Sequence, residues 1–205
     1  MRVTIMNLNF LDHIKVEHGY LIFPLPNERL KKFPDIYDRL CACIYLASKI
    51  NGESGKHGVP DEPVQAAFFR SALNELYVLE GFIGTEYPST DKSKYMFRET
   101  SDPILHMARL LRNYNVHIST SILTNKSMKV RTLVTEDDFD IHVNYISNLD
   151  VSAIRKVRGH QHYSDQDLAE MIRIFDEQQH EFGISTLIIR IALSYSNDLE
   201  MFLKK

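Results

Sequence analysis

A mainly α-helical bundle is the fold class this sequence predicts, and three observations predict it. Apolar residues recur at spacings of three and four through most of the chain, which is the period of a helix with one buried face. Helix-start signals stand ahead of two of these runs, Asp102-Pro103 and Ser164…Asp167. Strand-like alternation is limited to a short N-terminal stretch, with one further short strand at most. No internal repeat or interdomain linker breaks the pattern, so residues 1–205 are expected to form a single domain. Its parts would be an arm over 1–26, a core over 27–150 and additional C-terminal helices over 151–205.

Each element follows in chain order. "HIKVEHGYLIFPLP" places Ile14 and Val16, then Leu21, Phe23 and Leu25, around His18-Gly19, which predicts an extended arm or short hairpin. From Asn27 to about Ile50 the pattern is helical, with Ile36, Leu40, Cys43, Ile44 and Ala47 on one face. "NGESGKHGVPDEP" is a polar Gly/Pro loop, and it lacks the glycine–lysine order of a phosphate-binding loop. After Pro63 a strong helix is expected, with Val64, Ala67, Phe68, Ala72, Leu76 and Leu79 inward and Gly81 or Gly84 ending it. Residues 85–100 are polar and irregular. Asp102 then caps a helix with Pro103 at its first position, and Ile104, Leu105, Ala108 and Leu111 form the buried stripe. A loop with perhaps one short strand follows. "TEDDFDIHVNYISNL" is expected to be helical, with Thr135 as cap and Asp138 completing a capping box. The basic segment "RKVRGHQH" (155–162) is a loop, suited either to solvent or to an RNA backbone. Ser164 opens a helix ending near Gly183, and a last helix covers about 185–204.

Bulk composition narrows the function classes. Hydrophobic residues are 44% and charged residues 25%, ordinary for a globular protein in water. No run approaches the roughly 18–20 apolar residues that cross a bilayer, and "MRVTIMNLNFLDH" lacks the apolar centre of a secretory signal. A cytoplasmic location is expected, with no membrane partner. Cys41 and Cys43 form a lone C-x-C without further ligands at metal-binding spacing, so reduced structural cysteines are expected, with no metal and no cofactor. The net charge of −3 hides an asymmetry. Residues 92–131 hold eight basic groups against Glu99 and Asp102, a balance of +6, which leaves −9 on the remainder. A positive zone within an acidic chain suits an anionic substrate.

That zone contains "LLRNYNVHIS" (110–119). Arg109, Asn113 and His117 are four residues apart and share one helix edge. Arg112 is five positions from His117, about 140° around the helix, and its long side chain reaches toward that edge. A guanidinium holds phosphate oxygens through a planar fork, and an imidazole exchanges protons near neutral pH. On RNA the 2′-hydroxyl is an internal nucleophile, so such a site needs no metal. The plainer reading is a helix C-terminus carrying cations that favour its dipole.

"RNYNVH", after the apolar lead-in "PILHMARLLRN" and the helix "FFRSALNELYVLE", resembles the R-x4–6-H motif of the HEPN superfamily (higher eukaryotes and prokaryotes nucleotide-binding domains). The bare spacing occurs four times here, also as Arg155/His160, Arg155/His162 and Arg173/His180. Only Arg112/His117 has Asn directly after the arginine on a capped amphipathic helix. The resemblance covers roughly residues 30–150. It implies a metal-independent endoribonuclease of the toxin–antitoxin or defence kind, acting as a homodimer on RNA, with an antitoxin or defence partner protein. In it Arg112 would stabilise the phosphate, His117 act as general acid/base and Asn113 position one of them. Arg109, Tyr114, Lys126 and Lys129 are candidate substrate-binding or site-shaping residues, and Glu75 and Glu80 candidates to orient Arg112 or His117. The alternative is a non-catalytic helical interaction or nucleotide-binding module.

Overall fold

The computed structural model describes residues 7–20, 22–52, 55, 58–117, 123–131 and 138–203. The side chains of residues 115–117, 131 and 139 lie outside that set. Six α-helices dominate: α1 (Pro34–Ser48), α2 (Asp61–Glu86), α3 (Pro103–His117), α4 (Val151–Ile154), α5 (Asp165–His180) and α6 (Gly183–Phe202). The sheet is one antiparallel hairpin of β1 (Leu123–Arg131) and β2 (Asp138–Ile146), with Leu123 opposite Ile146 and Lys126 opposite Val143. The mainly helical expectation holds.

α6 is the centre of the packing. It rests on α1, α2, α5 and β2, and buries Ile184, Leu187, Ile188, Ile189, Ile191, Ala192, Tyr195 and Leu199. A helix apolar on nearly every side must be surrounded to be stable. The continuous core runs from Ile14 to Leu203, so the C-terminal helices share it with α1–α3. α3 packs between α2 and α5, and its N-cap does double duty. Asp102 Oδ1 accepts from Ile104 N at 2.8 Å, and Oδ2 accepts from Ile14 N at 2.8 Å, which fixes the N-terminal arm at the start of α3.

Several expectations are corrected. The segment expected as a helix from Thr135 contains β2 instead; Thr135 itself lies outside the described residues. The overlooked signal is the period-two run Phe139, Ile141, Val143, Tyr145. Pairing with β1 and burial of Val143 and Ile146 outweigh a capping pattern that propensity alone would favour. α2 begins at Asp61 and runs through Gly81 and Gly84 to Glu86. Pro63 is tolerated in its first turn, where no intrahelical donor is lost. Its buried stripe is Ala66, Phe69, Ala72, Leu73, Leu76 and Leu79, rotated from the expected face, and Ala67 is exposed. Residues 28–32 form a 3-10 turn before α1 begins at Pro34. The described part of the N-terminal arm has no strand pairing, so it is an extended strap rather than a hairpin.

α5 opens on the expected capping box of Ser164 and Asp167. Gly183 stands at the break, with φ +77°, but begins α6 directly. A Cβ there would lie 2.8 Å from Asn144 O, so the close approach of β2 requires glycine.

Candidate functional site

The last two turns of α3 face a cleft of about 340 Å³ with two walls. One wall is helical: Tyr77 from α2 and Arg109, Arg112 and Asn113 from α3, with Arg98 from the preceding loop. The other is the turn between α4 and α5, which presents Arg158, Gln161, His162 and Tyr163. Four guanidiniums therefore converge on one concavity.

Arg112 is held on three sides. Its guanidinium stacks over the Tyr77 ring, with Cζ 4.3 Å from the centroid, a cation–π contact. Nη2 donates to Asn74 Oδ1 and Nη1 to Asn113 Oδ1, each at 3.3 Å. Asn113 in turn donates from Nδ2 to Arg158 O at 2.9 Å, tying α3 to the opposite wall. The expected positioning role of Asn113 thus has a geometric counterpart: it carries Arg112 and anchors the loop. Asn74 and Tyr77 went unassigned, whereas Glu80 was a candidate to orient Arg112 or His117; the spacing of three marks one face of α2 for all of them.

Beneath Arg112 lies a buried polar layer. Arg109 Cζ lies 5.7 Å from the Tyr77 centroid, and its Nη1 is 3.8 Å from Glu80 Oε2, an ion pair too long for a hydrogen bond. Glu80 is 6% exposed and accepts a short hydrogen bond from Phe97 N. Burial pushes its carboxyl up to about 7, against the opposing pull of the Phe97 N–H, Arg109 and Arg98. Next to it, His106 is fully buried, an inward-facing histidine on the stripe that sequence reading passed over. Thr100 O lies 2.9 Å from its Nε2 and Tyr163 Oη 2.7 Å from its Nδ1. A carbonyl only accepts, so Nε2 carries the proton and Tyr163 donates to Nδ1. Burial lowers the histidine and raises the Tyr163 phenol, which keeps both neutral.

Among the described residues, three buried side-chain nitrogens have no hydrogen-bond partner: Arg98 Nε, Arg109 Nη1 and Arg112 Nε. All belong to this cleft. Arg98 Nε is 3.0 Å from Glu99 Oε1, an ion pair by distance whose N–H is misdirected for a hydrogen bond. Desolvated guanidinium nitrogens without hydrogen-bond acceptors are costly, and here they belong to three of the arginines that line the cleft.

The remaining candidates fall elsewhere. His117 closes α3, but its side chain lies outside the described residues. Tyr114 is half-buried against the core and does not line the cleft. Lys126 donates to His180 O at 3.3 Å, across the hairpin at the end of α5, and Lys129 is exposed opposite Asp140. Glu75 pairs with Arg39 of α1 at 3.0 Å, so it is engaged away from Arg112. The basic window is accordingly divided in space. Arg98, Arg109 and Arg112 enter the cleft, Lys94 lies over the Phe202 ring at 4.8 Å, and the later lysines belong to the hairpin. Cys41 and Cys43 are free thiols, the latter buried.

Among the described residues, no helix is long and apolar enough to cross a membrane. Comparison of the chain with protein-family models, with curated proteins and with solved structures finds no match.

Proposed function

We propose that this protein is a HEPN-like endoribonuclease that cleaves RNA by attack of the 2′-hydroxyl on the adjacent phosphate, without a metal. The observation that carries the reading is the convergence of Arg98, Arg109, Arg112 and Arg158 on one cleft, with three of their buried nitrogens unpartnered. Four guanidiniums on one concavity favour an anion, and a phosphodiester offers acceptor oxygens in the planar arrangement guanidiniums favour. Arg112, pre-positioned by Tyr77, Asn74 and Asn113, stabilises the charge that grows on the phosphate in the transition state. His117, one turn further along α3, is the general acid/base. The products are a 2′,3′-cyclic phosphate and a 5′-hydroxyl. A homodimer and a partner antitoxin or defence protein belong to the same proposal on the resemblance of "RNYNVH" alone, and cytoplasmic action belongs to it on the composition and cysteine usage.

The test is incubation of purified protein with total RNA or a tRNA pool in EDTA, beside Arg112→Ala and His117→Ala. Cleavage by the wild type, lost in both variants, is expected. An inert wild type, or equal cleavage by all three, overturns the reading. Binding without turnover is the second reading. The contacts of Arg112 with Asn74, Asn113 and Tyr77 favour it, because a guanidinium clamped in the free protein suits holding a phosphate as well as transforming one.

A further inference from the structure

The wall opposite α3 is tied together by hydrogen bonds and an ion pair. Arg155 donates from Nη1 to His160 O at 3.2 Å and is ion-paired to Asp165, which fastens the start of α5 to the turn. Gly159, at φ +101°, makes the bend with a left-handed conformation and donates to Gln161 Oε1 at 3.0 Å. Asn113 holds Arg158 O from α3, and Tyr163 is anchored to His106. These ties set the two histidines of the turn apart. The Nδ1 of His160 lies 2.7 Å from Val157 O, so that ring is committed to holding the loop. The ring of His162 is half-buried, lines the cleft, and has no hydrogen-bond partner among the described residues. The Arg158 guanidinium beside it has no ion-pair partner among them either. An imidazole on a rigid turn, aimed into an arginine cleft and left without a partner, is placed to meet a ligand.

We infer that His162 is the second imidazole of this site: it contacts the bound phosphodiester from the loop side and carries one of two proton transfers in cleavage. The inference rests on the ribonuclease reading and adds to it. In-line transesterification forms the O2′–P bond and breaks the P–O5′ bond. One neutral imidazole takes the 2′-hydroxyl proton, and the other, as imidazolium, delivers a proton to the departing O5′. His162 supplies one from the loop side, and on the ribonuclease reading His117 supplies the other, so that neither must perform both transfers.

The test has a binding arm and a turnover arm. In the first, the Cε1–H signal of His162 is followed by NMR while a short mixed-sequence single-stranded DNA, which lacks the 2′-hydroxyl and cannot be cleaved, is added. The signal is expected to move in the wild type and to stay in place in Arg112→Met. In the second, His162→Ala is expected to lower RNA cleavage by about 10²–10⁴-fold, to weaken DNA binding by the loss of one contact, and to keep a melting temperature close to wild type. It should also lose one limb of the pH–rate profile, and added imidazole should restore part of the activity of His162→Gly. A purely structural histidine would alter melting and leave both limbs. An unmoved His162 signal while Arg112-dependent binding persists overturns the inference and leaves the ribonuclease reading intact. Unchanged cleavage by His162→Ala does the same. A wild type that moves the signal and cleaves nothing overturns the ribonuclease reading and the proton-transfer role, with the binding contact retained.

Discussion

α6 and the outer end of α3 handle buried polarity in opposite ways. In α6 three buried hydroxyls find partners inside the protein: Ser185 Oγ donates to Ala47 O, Ser196 Oγ to Leu193 O and Tyr195 Oη to Tyr95 O, at 2.6–2.7 Å. At the cleft, three guanidinium nitrogens are buried with no acceptor. A core built for stability does not leave cations in that state, because each forfeits hydration without recovering a hydrogen bond. The contrast separates the two regions: α6 holds the molecule together, and the arginine cleft tolerates a cost in stability to keep its cations side by side.

Substitutions can break or sharpen this contrast. The largest effect is expected in the α6 core, where Leu187→Ala should cost about 2–5 kcal/mol of stability through the cavity it leaves. Chemical denaturation measures it, and a loss under about 1 kcal/mol would mean that α6 is not the centre of the fold. Glu80 comes next. Its folded-state carboxyl titrates near 7, above its ordinary 4.5, so the proton is bound more tightly in the folded protein. The resulting stability is complete below about pH 4.5, declines as pH rises, and is gone above about 7, on the order of 3 kcal/mol in all. Glu80→Gln should remove this slope while keeping an acceptor for Phe97 N. Parallel profiles for the two proteins between pH 4.5 and 8 would show that Glu80 does not titrate there.

Tyr163→Phe strips His106 Nδ1 of its donor and should cost about 1–3 kcal/mol. Burial depresses His106 below its usual range, so the stability tied to its neutral form is present above about pH 6.5 and lost as pH falls through the folded value. The variant should be most affected at neutral pH, and denaturation at two pH values checks it. The smallest stability change is expected for Arg112→Met, within about 1 kcal/mol of wild type, because it gives up two hydrogen bonds of 3.3 Å, removes the buried Nε that has no partner, and keeps the contact with Tyr77. The same variant should bind single-stranded RNA more weakly and lower the slope of log affinity against log salt by about one contact. A steep loss of stability with an unchanged salt slope would make Arg112 structural.

What could be read from the sequence, and what could not, follows from how local each signal is. α3 was legible because Asp102-Pro103 and the stripe of Ile104, Ala108 and Leu111 are signals within one helix. The capping box of α5 was legible for the same reason. The hairpin was not, because a capping pattern at Thr135 and Asp138 competed with the alternation through Tyr145, and long-range pairing decides between them. Likewise, the spacing of Arg109 and Asn113 placed them on one edge, but nothing local could foresee Tyr77 beneath Arg112, or Glu75 drawn to Arg39.

By itself the sequence determined a mainly helical chain, the start and inner face of α3, and a cluster of cations that suits an anion. The tertiary structure alone decided which of those cations meet. Arg98, Arg109, Arg112, Arg158 and His162 come from three separate segments, joined at one cleft because α3 packs between α2 and α5. The same packing buried Glu80 and His106 and moved their protonation away from the ordinary range. Periodicity is a property of neighbours along the chain, whereas desolvation and convergence are properties of neighbours in space, and the chemistry of this cleft rests on the second kind.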